Sequence, residues 1–169
     1  MNNFTNSIDV FIEISKGSNI KYEYDKKINA LKCDRILHTP FRYIFNYGFI
    51  PNTLSLDKDP IDVVVIMDEP LVPGCYIKCK IIGCLETSDN EGDDPKLIMC
   101  PIDKIDPKSI NINKIEDFGL QYLDQIKYFF THYKDLENKI VNIGNFVSKE
   151  KAIDIYLQSI ENYKNINLN

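Results

Sequence analysis

The chain has 169 residues, 44% of them hydrophobic, with 9 Phe and 10 Tyr, enough apolar material for one well-packed core. A formal net charge of -5 argues against a surface built for a nucleic-acid backbone or an anionic membrane, both of which call for a basic excess. The 5 cysteines contain no C-x-x-C pair and fit neither a disulfide framework nor a common zinc module, so they are read as reduced. Cys75, Cys79, Cys84 and Cys100 are expected to act as small apolar residues within strands. The opening MNNFTNSIDVF lacks a basic segment followed by an apolar one, and no apolar run is long enough to span a bilayer. One soluble, cytoplasmic domain covering 1–169 is the expectation.

Taken in chain order, short segments rich in β-branched and aromatic residues come first: VFIEI (10–14), IKYEY (20–24), ALKCDRI (30–36), DVVVIM (62–67), YIKCKIIGCLET (76–87) and KLIMCPI (96–102). In IKYEY, Lys21 and Glu23 alternate with Ile20, Tyr22 and Tyr24 and so share one face of a sheet. The DKKINA that follows reads as a hairpin connection. The period then changes. Leu120, Leu123, Ile126, Phe130 and Tyr133 are spaced as the apolar stripe of a helix. A second helix begins near Ser148, a plausible N-cap, and is expected to bury Ala152, Ile153, Tyr156, Leu157 and Ile160. The Asn-rich end ENYKNINLN is expected to fray. Strands first and helices last predict α+β: a strongly curved or closed antiparallel sheet with two C-terminal helices packed on it.

Two acidic loops adjoin two of these strands. LDKDPID places Asp57, Asp59 and Asp62 at the mouth of an apolar run, and Pro60 keeps Asp59 extended or turned. SDNEGDDPK offers Asp89, Glu91, Asp93 and Asp94 ahead of KLIMC. Either loop alone is equally an ordinary solvated turn. Together they suggest a site for hard divalent cations, because like charges gathered on ordered backbone require a positive partner. The spacing excludes a calcium EF-hand loop, and magnesium suits scattered carboxylates that share it with phosphate oxygens. Lys21 and Arg35 in strands, with Lys134 at a helix end, would suit an anion rich in negative oxygens. Neither G-x-x-x-x-G-K-S/T nor G-x-G-x-x-G is present, and His38 and His132 have no nucleophile partner, so water is the expected nucleophile.

These residues carry a resemblance. DKDPIDV matches the signature D-x-D-P-x-D-V, and IKYEYD, DRI, YIFNYGFIPNTLSLD, DNEGDDPKL and HYKDLE stand around it in order. The chain resembles the soluble family I inorganic pyrophosphatases of the short bacterial type over nearly its whole length. The resemblance implies a closed, OB-like β-barrel and Mg²⁺-dependent hydrolysis of pyrophosphate by in-line attack of a metal-activated water, without a phospho-enzyme. It implies that Asp57, Asp62, Asp89 and Asp94 hold several metal ions, Asp62 bridging two. Asp59 would then be the general base. Lys21, Arg35, Tyr47, Tyr133 and Lys134 would contact phosphate oxygens, with Glu13, Glu23, Tyr43 and Lys96 in the surrounding shell. A homohexamer is implied by the same likeness. The family's usual EIP reads EIS here, Lys58 stands where glycine is common, and Asn90 replaces a frequent acid. Two other readings remain open: a hydrolase of another phosphoanhydride, and a divalent-cation-binding module without enzymatic activity.

Overall fold

In β1 (Ile8–Ile14) alternation is visible directly, with Ile8, Val10, Ile12 and Ile14 buried and Asp9 exposed between them. The structure, a computed structural model, describes residues 3–167. Met1, Asn2 and the last two residues of the end expected to fray therefore lie outside the described residues. β2 (Ile20–Asp25) and β3 (Ala30–Ile36) form a separate two-stranded antiparallel hairpin that sets Lys21 opposite Arg35. Asn29 closes its turn in the left-handed region at φ 52°, which Asn tolerates better than most residues.

The remaining strands are β4 (Asn46–Phe49), β5 (Asp62–Val65), β6 (Tyr76–Asp89), β7 (Gly92–Asp93), β8 (Lys96–Pro101) and β9 (Asn142–Val147). Four of them close into a ring with β1, in the order β1, β4, β5, β8, β6 and back to β1, while β7 and β9 pair with β6. The ring is mixed rather than wholly antiparallel, because β5 and β8 run parallel with Asp62 opposite Lys96. This pairing is what brings the two acidic loops together.

Two helices follow, α1 (Leu120–His132) and α2 (Lys149–Asn167). α1 lays Leu123, Ile126, Phe129 and Phe130 onto a cluster that includes Tyr43, Phe45, Tyr47, Val64 and Ile98. α2 contributes Ala152 and Tyr156 to a second cluster with Val63, Val65, Leu97 and Met99. β5 thus sends Val64 to one cluster and Val63 and Val65 to the other. A strand buried on both faces reads as a continuous apolar run, as DVVV does. Each fully buried side chain of this kind contributes roughly 1.5–3 kcal/mol, so these contacts hold the helices in place.

Several expectations are corrected. β4, β7 and β9 were not foreseen: NYGF and the two-residue β7 are short, and NIGNFV is rich in Asn and Gly, which strands disfavour. β9 lies between the helices, so strands do not simply precede helices. Leu120 is 73% exposed at the first turn of α1, and Leu157 is 46% exposed on α2. Ser159 takes a buried place instead, its hydroxyl donating to the Tyr156 carbonyl at 2.6 Å. Helical structure runs on to Asn167, through most of the Asn-rich segment expected to fray. Ser148 does start α2, its carbonyl accepting from Ala152 N at 3.0 Å. Cys79, Cys84 and Cys100 are buried in strands as expected, whereas half-buried Cys75 precedes β6 and Cys33 is exposed; all five are free thiols.

Candidate active site

Parallel neighbours receive their incoming loops at the same end of a sheet, so the segments 55–61 and 88–95 meet beside the start of β5 and β8. The first is wound tightly. Asp59 N donates to Asp57 Oδ1 at 3.0 Å, Ser55 N donates to the Asp59 carbonyl at 2.8 Å, and Lys58 sits at φ 71° between them. In the second, Glu91 N donates to Asp89 Oδ1 at 2.8 Å and Asp94 N to the Thr87 carbonyl at 2.9 Å.

Asp57, Asp59, Asp62, Asp89 and Asp94 all line one cleft of about 810 Å³, together with Glu13 of β1 and Glu23 of β2. Lys21, Arg35, Tyr47, Lys96, Tyr133 and Lys134 line the same cleft. Tyr43 is buried behind the lining, its ring 5.9 Å from that of Tyr47. Asp93 departs from the other acids of its loop and lines a separate groove with Leu54 and residues of α2. His132 pairs with Asp135 at 2.7 Å, and neither it nor exposed His38 lines the cleft.

At the bottom of the cleft Lys96 is buried, its ammonium donating to Asp62 Oδ2 at 2.6 Å and also to Asp94. The Tyr47 hydroxyl donates to the same Asp62 oxygen at 2.7 Å. Burial alone would push the Lys96 pKa down, but the Asp62 and Asp94 carboxylates outweigh it and hold the side chain charged. The other groups are less well matched. Burial pushes Glu13 up to about 7, helped by nearby Asp62 and opposed by the hydrogen bond from Tyr24 N at 2.7 Å. Burial likewise pushes Asp57 up to about 6, with Asp94, Asp59 and Asp62 adding to the shift against the Asp59 N–H. Asp94 is raised by burial despite Lys96. Lys134 moves the other way: burial lowers it, and so do the surrounding cations Lys21, Lys96, Arg35 and Lys139. Acids held up and a base held down, in one cleft, mark groups whose charged forms a bound cation and a bound anion would each favour.

The donor chemistry fits a hard divalent cation, since the lining offers carboxylate oxygens and neither Cys nor His. With the side chains as they stand, no three of them among the described residues are gathered closely enough to enclose an ion. Lys96 stands between Asp62 and Asp94, paired with both.

Two acids escaped the sequence reading. Asp34 pairs with Arg35 and lies 3.7 Å from Lys21. Glu137, buried beside the cleft, approaches Arg35 Nε to 2.8 Å. Both sit inside recognisable stretches, DRI and HYKDLE, but only a cross-chain contact distinguishes them from surface charges.

Residues 10–164 match the model of the inorganic pyrophosphatase family. An inorganic pyrophosphatase of Nanoarchaeum equitans is 50% identical over 155 residues, 91% of this chain and 96% of that one. One of Helicobacter pylori is 47% identical over 159 residues, 94% of this chain and 92% of that one. Among solved structures, an inorganic pyrophosphatase of Helicobacter pylori superposes with a TM-score of 0.92 at 46% identity, covering 95% of both chains. That of Coxiella burnetii superposes with a TM-score of 0.91 at 37% identity, covering 94% of this chain and 96% of that one. With its closed mixed ring, its two helices and its cleft of acids and cations, the chain belongs to the inorganic pyrophosphatase family.

Proposed function

We propose that this chain hydrolyses inorganic pyrophosphate to two orthophosphates by direct in-line attack of water. The observation that carries the reading is the single cleft in which carboxylates from two loops face Lys21, Arg35 and Lys134. Lys134 has no carboxylate within ion-pair distance among the described residues, and other cations surround it. A compact, highly charged phosphate anion supplies the missing partner.

Asp57, Asp62, Asp89 and Asp94 are the residues that would hold divalent cations, Mg²⁺ above all, which when bound supply neutralisation of the substrate's charge and acidification of its attacking water. Asp59 accepts the proton of that water as a new P–O bond forms and the bridging P–O bond breaks. Being exposed, its carboxylate is free to receive the proton. Lys21, Arg35, Lys134 and the Tyr133 hydroxyl meet the charge developing on the departing phosphate. The Tyr47 hydroxyl and Lys96 hold Asp62, Glu13 and Glu23 complete the wall of the cleft, and Tyr43 backs it from the core. No side chain is phosphorylated on this path.

Phosphate release measured from pyrophosphate, tripolyphosphate and ATP, each with and without Mg²⁺, tests the proposal. Release from pyrophosphate alone, and only with Mg²⁺, is expected. Equal release from ATP would favour a general phosphoanhydride hydrolase, and cation binding without release would favour a binding module. The reading extends to a cytoplasmic homohexamer. No helix among the described residues is long and apolar enough to cross a membrane. Exposed Leu120, Tyr128 and Leu136, on α1 and just after it, offer apolar surface to another copy. Light scattering of the purified chain decides the assembly.

A further inference from the structure

We propose that Glu137 is a positioning residue for the phosphate site: it clamps the guanidinium of Arg35 by its Nε edge and so fixes the hairpin that carries Lys21 and Arg35 against the turn that carries Lys134. The inference rests on the proposed use of Arg35 as an anion ligand.

Glu137 closes a single 3₁₀ turn, Asp135–Glu137, and its N–H donates to the Lys134 carbonyl at 2.9 Å. One short turn therefore carries both a cation of the cleft and an acid that reaches across to another element. That acid is only 5% exposed and stands 2.8 Å from Arg35 Nε, while Asp34 takes the Nη1 side. The two acids thereby hold the guanidinium by charge from two sides, and a planar fork binds phosphate well only when its position is set.

The location gives the clamp its importance. β2 and β3 form a sheet of their own, with no ladder to the closed ring. Tyr24 ties the turn end of the hairpin to β1, and the Arg35–Glu137 pair ties the end that carries Lys21 and Arg35 to the turn of Lys134. The contact is also poorly made as a stabilising device. Glu137 Oε2 is buried without a hydrogen-bond partner among the described residues, and the Arg35 Nε–H is not aligned for a hydrogen bond. A clasp needed only for stability would be served as well by apolar packing, because a buried ion pair rarely outperforms it. A carboxylate buried there, in a site already crowded with cations, acts on the position of Arg35.

The test is calorimetric binding of methylenediphosphonate, a pyrophosphate analogue that cannot be hydrolysed, to the full chain in Mg²⁺ buffer. Wild type, Glu137→Gln, Arg35→Ala and the double variant are compared. Losing the ion pair that places Arg35 should weaken Glu137→Gln roughly 10- to 100-fold. In the Arg35→Ala background the same change should add little, since its only route to the ligand is gone. Unchanged affinity in Glu137→Gln, or equal weakening in both backgrounds, would overturn the proposal. So would a lowered thermal midpoint with wild-type affinity. Should Glu137→Gln fail to fold, Arg35→Lys keeps the positive charge but has no Nε for Glu137. It is expected to show a comparable loss, and wild-type affinity there would be equally fatal. Coupled binding by a chain that releases no phosphate from pyrophosphate would sink the proposed function and leave the Glu137 clamp standing.

Discussion

Asp59 alone among the five aspartates expected at the site is exposed, and it lines the same cleft as the other four. Asp59→Asn nearly conserves shape but cannot accept a proton. It should fold with an unchanged thermal midpoint and lose about 10²- to 10⁴-fold in turnover, measured by phosphate release. Near-normal turnover would remove Asp59 from the role. Lys96 is a different case, a buried cation shared by two carboxylates. Lys96→Met leaves Asp62 and Asp94 without their common partner and should cost about 3 kcal/mol in the metal-free protein, read by denaturant unfolding. Lys58, at φ 71°, occupies a conformation that costs a non-glycine residue roughly 1–2 kcal/mol. Glycine returns about 0.5–1 kcal/mol of that through the greater freedom of its unfolded chain. Lys58→Gly should therefore stabilise the protein slightly, and a lower unfolding midpoint would contradict this.

At the scale of elements, the site depends on how closely β4 approaches β1. A Cβ built on Gly48 would lie 1.8 Å from the Phe11 carbonyl oxygen, which backbone atoms cannot relieve by a side-chain rotation. Gly48→Ala must push the two strands apart, and Tyr47, next in sequence, would carry its hydrogen bond to Asp62 away with it. A loss of about 3 kcal/mol is expected, with turnover falling beyond what instability explains. Measured unfolding within 1 kcal/mol of wild type would mean the strands can part more easily than this packing allows. The hairpin of β2 and β3 behaves oppositely. It is half-exposed and joins no other strand, whereas β5 and β8 are almost wholly buried. Amide exchange should accordingly be fast in the hairpin and slow in β5 and β8, and substrate analogue should slow the former.

For the molecule as a whole, the crowded acids link stability to pH and to metal. In the metal-free protein Glu13 and Asp57 titrate at about 7 and about 6 instead of 4.5 and 3.8. The unfolded chain gives up these protons first, so between the ordinary and the raised values the folded state holds more protons than the unfolded one. Their contribution to stability must fall as pH rises through that window and stay low above about 7. Thermal midpoints of chelated protein, compared between wild type and Glu13→Gln, should show the variant losing less over this range. Superimposable profiles would count against the assignment. Adding Mg²⁺ should raise the midpoint most at the upper end, where the carboxylates are ionised, because a ligand of the folded state stabilises by mass action.

Much was legible in the order of the residues. Alternation and period located β1, β2, β3, β5, β6 and β8 and both helices, since burial of one face or both is written in side-chain type. The fixed spacing of Asp57, Asp59, Pro60 and Asp62 identified the first acidic loop, because Pro60 and the turn-forming acids act locally. The short strands β4, β7 and β9 were not legible, being held by their neighbours and not by propensity. Only the tertiary structure decided that β5 and β8 run side by side and parallel, which joins two loops some thirty residues apart into one cleft. Only it could give Lys96 to Asp62 and Asp94, send Asp93 elsewhere, and bury Glu137 against Arg35. Local sequence determines which groups can bear charge, whereas which charges meet depends on distances through space that chain order does not encode.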